Sequence, residues 1–165
     1  MLAAREATIF GVIVFGALSY RPLVSAAQRG EARVTPAEVS WPAAVAGGLG
    51  TSGAMGIQTV VLKGDPAKAG LYTLLLRAGP NMKIQAHSHS DDRVATVISG
   101  TWYFGYGRQF NETALKALPP GSFYTEPPGV HHFAMTRKEG VVLQITGMGP
   151  SGTTYADPSN DPTKK

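Results

Sequence analysis

Residues 79–100 read GPNMKIQAHSHSDDRVATVISG, from Gly79 to Gly100. Within this stretch 82–89 alternates imperfectly between apolar and polar residues, and 94–99 (VATVIS) is strongly β-prone. Gly100 marks a turn or close crossing, after which 101–106 interleaves Trp102, Phe104 and Tyr106 on one face with Tyr103 on the other. His87 and His89 are separated by one residue, so on an extended strand both imidazoles project to the same side. Two imidazoles presented together can bind a metal or act as base and electrophile. Outward from here, 57–62, 71–77, 121–125, 132–135 and 141–147 read as further strands, and 112–118 as a short helix capped by Asn111 and stopped by Pro119 and Pro120. Many short strands at regular spacing imply an all-β sandwich or barrel with one face of each strand turned inward.

Composition supports that class. The chain has 165 residues with 20 Gly and 12 Pro, a content that without a period of three suits tight turns between short strands. No Cys is present, which excludes disulfides, thiolate metal sites and a cysteine nucleophile, so any metal is held by nitrogen and oxygen. The formal net charge of +4 is too small and too dispersed for nucleic acid to be the main partner. No phosphate-cradling loop ends in Lys-Ser or Lys-Thr, no serine nucleophile elbow occurs, and the adjacent Asp91 and Asp92 do not have a glycosidase spacing.

Four segments are expected along the chain. Residues 1–27 read as a secretory signal: Arg5 precedes an apolar run over 7–18, and Val24, Ser25, Ala26 and Ala27 supply small residues for cleavage. The run is too short for an easy membrane span, and the alternative is an uncleaved anchor or a mis-assigned start. The expected location is a bacterial periplasm or the exterior, with no stable membrane insertion after signal removal. Residues 28–56 form an arm or linker, 57–148 the barrel and 149–165 a polar, frayed tail.

The turn residues around the histidines form two blocks. Gly79 leads to His87 and His89, with Arg93 and Gly100 next; further on come Gly121, Pro127, Gly129 and His132. These blocks resemble the two motifs of the cupin superfamily, over nearly the whole of 57–147. That resemblance implies a cupin-type double-stranded β-helix, a jelly-roll barrel, with His87, His89 and His132 as metal ligands. His131 faces away as a rim residue, because adjacent strand residues point to opposite sides.

The chain departs from the pattern at Arg93, which stands where a typical cupin has its metal-binding Glu. An Arg has no free lone pair and stays protonated, so a three-histidine site is the simpler expectation unless Asp91 or Asp92 moves in. Arg93 either clamps an anionic substrate as a catalytic group, or pairs with Asp91, Asp92 or Glu126 in the wall. Glu126 and Met135 lie near the second motif within reach of the site, but read first as a surface Glu and a core Met.

Three neutral imidazoles leave open positions on a divalent ion, with Fe favoured and Ni, Mn, Cu or Zn able to substitute. The resemblance then implies a metal-dependent enzyme on a small organic substrate, foremost a dioxygenase. An isomerase or lyase, or a non-catalytic small-ligand sensor with or without a metal, is the alternative. A homodimer is expected from the resemblance, with 41–55 wrapping a partner or covering the domain.

Overall fold

The computed structural model describes residues 30–43 and 47–164. The expected signal over 1–27 lies outside the described residues. Among the described residues no helix is long and apolar enough to cross a membrane.

Ten strands run in chain order: β1 Ile57–Lys63, β2 Gly70–Ala78, β3 Lys83–His89, β4 Arg93–Ser99, β5 Trp102–Tyr106, β6 Lys116–Leu118, β7 Phe123–Glu126, β8 His132–Met135, β9 Val141–Gly149 and β10 Thr153–Tyr155. They form two five-stranded antiparallel sheets, β1-β2-β9-β4-β7 and β10-β3-β8-β5-β6. The inner faces bury Tyr72, Leu74, Val97, Phe104, Leu143 and Ile145 between them. Alternation drives this. In β4 Arg93, Ala95 and Val97 are buried while Val94 and Ile98 are exposed, and β2 and β9 show the same period.

The expectation of a closed β-barrel or jelly-roll is corrected. Among the described residues no ladder joins an edge of one sheet to an edge of the other, so the strands form two open, facing sheets. Closure would need the edge strands to continue the hydrogen-bond stagger from sheet to sheet. Three of the four edges are too short to do so: β6 and β10 have three residues each and β7 has four. Such short edges also offer little template for pairing with another chain.

The expected helix over 112–118 is replaced by one 3₁₀ turn, Glu112–Ala114, and then β6. The Asn111 cap does form, its side chain accepting from the Thr113 amide at 3.0 Å. A single turn is too short to propagate, and pairing of Lys116–Leu118 with β5 satisfies the backbone instead. The tail is likewise ordered into the sheet, since Thr153, Thr154 and Tyr155 pair with His89, Ser88 and His87.

Glycine is required at two close approaches. Gly100 has φ +73°, and a Cβ there would lie 2.0 Å from the Gly140 carbonyl oxygen, so the β4–β5 crossing needs a residue without one. At Gly147 a Cβ would meet the Tyr72 hydroxyl at 2.7 Å and Arg93 Cβ at 2.9 Å. β9 therefore passes close enough to hold both of those side chains in place.

Candidate metal centre

His87 and His89 reach the space between the sheets through a break in phase. The β3–β8 ladder pairs Ile84 with Ala134 and then His87 with His132, so one extra residue is inserted on β3. A one-residue bulge turns the side chains beyond it to the other face. Ile84 and His87 thereby line the same cavity although they are three positions apart, an offset that on a regular strand puts side chains on opposite faces. His132, at the start of β8, sits directly opposite His87.

The three rings are buried and their potential ligand nitrogens lie within 4.8 Å of one another. Each Nδ1 faces a backbone carbonyl: His87 to Gln85 at 2.8 Å, His89 to Gly152 at 3.0 Å and His132 to Val130 at 3.2 Å. A carbonyl only accepts, so each Nδ1 carries the hydrogen and donates it, leaving the Nε2 lone pair for the interior. His89 Nε2 is buried with no hydrogen-bond partner. Burial, reinforced by the neighbouring His132, pushes His87 down to about 3. Burial likewise lowers His132, and it lowers His89 well below its usual range, with the Arg93 charge adding to the effect. The set is one of neutral imidazoles, the form that binds divalent ions. These residues fit a metal.

Arg93 and Glu126 complete the centre. They are directly opposite one another on β4 and β7, both side chains inward, with 3% and 5% of their surface exposed. Arg93 Nε donates to Glu126 Oε2 at 2.5 Å, and Arg93 Nη1 donates to the Gly50 carbonyl at 2.8 Å. Burial alone would raise the Glu126 carboxyl, but the Arg93 charge and the adjacent histidines outweigh it and hold the group well below the carboxylate range. Arg93 thus points inward while pairing with Glu126, the contact expected of a wall residue. Behind it, the Tyr72 hydroxyl donates to Asp91 Oδ2 at 2.6 Å and Ser151 Oγ donates to Asp91 Oδ1 at 2.7 Å. Asp91 is therefore engaged away from the histidines, and Asp92 is exposed.

Sequence reasoning placed Glu126 first at the surface, with the site and Arg93 as its alternatives. The signal that could have found it is its charge, opposite to that of Arg93, together with a strand pairing only the fold supplies. It did not single out Thr51 and Ser52, which are buried over the centre in the segment 41–55 expected to wrap a partner or cover the domain. Thr153 Oγ1 donates to the Thr51 carbonyl at 2.7 Å and the Tyr155 hydroxyl donates to the Ser52 carbonyl at 2.6 Å, so the tail holds this strap down. His131 lies at the rim, partly exposed, with Arg108 Nη1 3.5 Å from its Nδ1.

The cavity at the centre is about 30 Å³, lined by His87, His132, Arg93 and Glu126 together with Leu76, Trp102 and other apolar residues. That volume takes an ion or a water or two, not an organic molecule. The space beside the histidines is thus of the size of an ion rather than of an organic ligand, and Thr51 and Ser52 of the strap line it.

No protein-family model matches the chain, and no curated protein does. Solved structures do match in fold. The polyketide cyclase RemF from Streptomyces resistomycificus is 16% identical with a TM-score of 0.60, over 82% of this chain and 92% of that one. KdgF from Halomonas sp. is 16% identical with a TM-score of 0.51, over 73% and 96% respectively. A chain from the crystal structures of the DMSP lyases RdDddP and RnDddQII is 18% identical with a TM-score of 0.52; the match takes in 61% of this chain and about half, 53%, of that one. Likeness at these identities is one of fold alone. What the structure shares with those proteins is an arrangement of strands, here two antiparallel five-stranded sheets, without the closed barrel that the sequence resemblance implied.

Proposed function

We propose that this chain is a small metal-dependent enzyme whose centre is held by His87, His89 and His132, and specifically an iron-dependent dioxygenase acting on a small organic substrate. The observation that carries the metal is the convergence of buried imidazoles whose Nδ1 hydrogens are all committed to carbonyls, leaving Nε2 lone pairs directed inward. A divalent ion held there would supply open coordination positions and, with iron, electron-transfer chemistry toward dioxygen.

The chain's own residues would do the rest. The three imidazoles hold the ion without a proton to lose. Leu76, Trp102, Phe104 and Leu143 keep bulk water away from it. The strap carrying Thr51 and Ser52 closes over the centre and admits the substrate when its hydrogen bonds to Thr153 and Tyr155 open. Arg93 is a positioning residue, its Nε and Nη1 taken by Glu126 and Gly50. An exported, periplasmic setting and a homodimer belong to the same proposal, on the sequence pattern of residues 1–27 and on the cupin resemblance respectively.

The small volume of the cavity favours one second reading, a non-catalytic metal-holding module that senses a small ligand. Elemental analysis of protein matured in its native host, repeated on His87→Ala, separates the outcomes. Near-stoichiometric iron lost in the variant, with dioxygen consumed in the presence of small enolisable acids or ketones, is the expected result. Bound metal without turnover favours the sensor. Absence of metal from the native protein, combined with failure to bind added divalent ions, overturns the metal-centre reading.

A further inference from the structure

We infer that Glu126 is a fourth donor of this centre, presented from β7, and that Arg93 is the counter-ion that holds it there. This rests on the proposed metal centre and changes its ligand set from three imidazoles to three imidazoles and a carboxylate.

Glu126 Oε2 lies 3.7 Å from His89 Nε2 and 3.6 Å from His132 Nε2. These are not hydrogen bonds, being too long, and no hydrogen is available to make them. Both imidazoles spend their N–H on a backbone carbonyl, so Nε2 offers a lone pair. Buried acceptors thus face one another: two imidazole lone pairs and a carboxylate oxygen, with His89 Nε2 left without a partner. Acceptors so arranged repel unless a cation lies among them. The spacing of Glu126 from His89 and His132 suits one. Donors about 2.1 Å from a shared ion stand about 3 Å apart at a right angle and about 3.4 Å apart at the tetrahedral angle, so the observed separations need to contract by only a few tenths of an ångström.

Register explains why a residue on β7 can serve. Arg93 and Glu126 are direct cross-strand partners, and side chains at such positions start about 5 Å apart on the same face. A carboxylate from either strand reaches the same space. Putting the base on β4 and the acid on β7 keeps the donor and adds a cation behind it, bound through Nε to the oxygen nearest the histidines. Arg93 consequently orients the carboxylate and competes for it.

The test uses the full chain stripped of metal and reloaded with Co(II), read by calorimetric titration and by visible absorption. Glu126→Gln is expected to weaken Co(II) binding by about tenfold or more. Its cobalt bands should intensify as the coordination number falls. Arg93→Gln, which keeps the carboxylate and removes the competing cation, is expected to bind at least as tightly as the wild type. Because Glu126→Gln leaves a buried guanidinium without its counter-ion and can fail to fold, Arg93→Gln/Glu126→Gln is compared with Arg93→Gln, both members of this second pair lacking that charge. Equal affinity and equal spectra within this pair overturn the assignment of Glu126 while leaving the three-histidine centre standing. Failure of the wild type to bind Co(II), Fe(II) or Zn(II) overturns both.

Discussion

Replacing Glu126 by Gln removes the counter-ion of a guanidinium that is 3% exposed, and the loss is measurable without any metal. The pair is joined at 2.5 Å, and the other contact of Arg93 in this network is the neutral Gly50 carbonyl. Stranding one member of a buried pair costs about 3–5 kcal/mol. Gln retains a carbonyl oxygen able to accept from Nε, which places Glu126→Gln near the lower end and Glu126→Ala near the upper. For a domain of this size, about 3 kcal/mol corresponds to a Tm roughly 10 °C lower. Arg93→Met strands the acid instead, but a stranded carboxyl can take up a proton, so its cost shrinks between pH 7 and pH 5 whereas that of Glu126→Gln does not. Arg93→Met/Glu126→Leu strands neither and should lie within about 1 kcal/mol of the wild type. The assay is urea unfolding of metal-free protein monitored by circular dichroism, analysed as a double-mutant cycle. Additive single losses, or a double variant less stable than both singles, would refute the coupling.

Acid should unfold the metal-free protein earlier than a typical β-domain. His87 is held at about 3 in the fold against 6.5 in the open chain, so below pH 6.5 the unfolded state takes up a proton that the folded state refuses. Stability therefore falls with pH through that window, by about 1.4 kcal/mol per pH unit for such a group, and His87→Gln should flatten the slope of Tm against pH. Glu126 contributes in the same direction at lower pH: its folded-state value lies below the ordinary 4.5, so its stabilisation is present above that value and is lost on further acidification. Gly147→Ala sets a Cβ against the Tyr72 hydroxyl and Arg93 Cβ and should cost about 1–3 kcal/mol, read as a lower Tm; an unchanged Tm would mean that β9 does not brace the pair. Tyr155→Phe removes the donor to the Ser52 carbonyl, at about 1–3 kcal/mol, and should speed amide exchange in residues 50–53 more than in the central strands, whereas uniform exchange would argue against a separately opening strap.

Several features were legible because they are local. His87 and His89 share a face by the period of any strand, and the opposed facing of His131 and His132 comes from the same period. The Asn111 cap formed where its side chain reaches Thr113, two residues on, but the helix it was expected to start did not, because β5 offered Lys116–Leu118 a ladder that the local pattern does not encode. The open sheet edges were equally out of reach, since closure depends on which strands meet last and not on the composition of any one of them.

The centre divides in the same way. The amino-acid sequence by itself determined the donor types, the exclusion of thiolates, the pairing of His87 with His89, and the absence of a carboxylate from position 93. Tertiary structure alone decided that a bulge between Ile84 and His87 turns both histidines inward, that β10 returns to hold the strap, and that Glu126 stands beside Arg93. The reason is distance along the chain. A side chain's alternation is set by its immediate neighbours, whereas the partner of Arg93 lies 33 residues away and is selected by the register of β4 on β7, which the packing of the two whole sheets fixes.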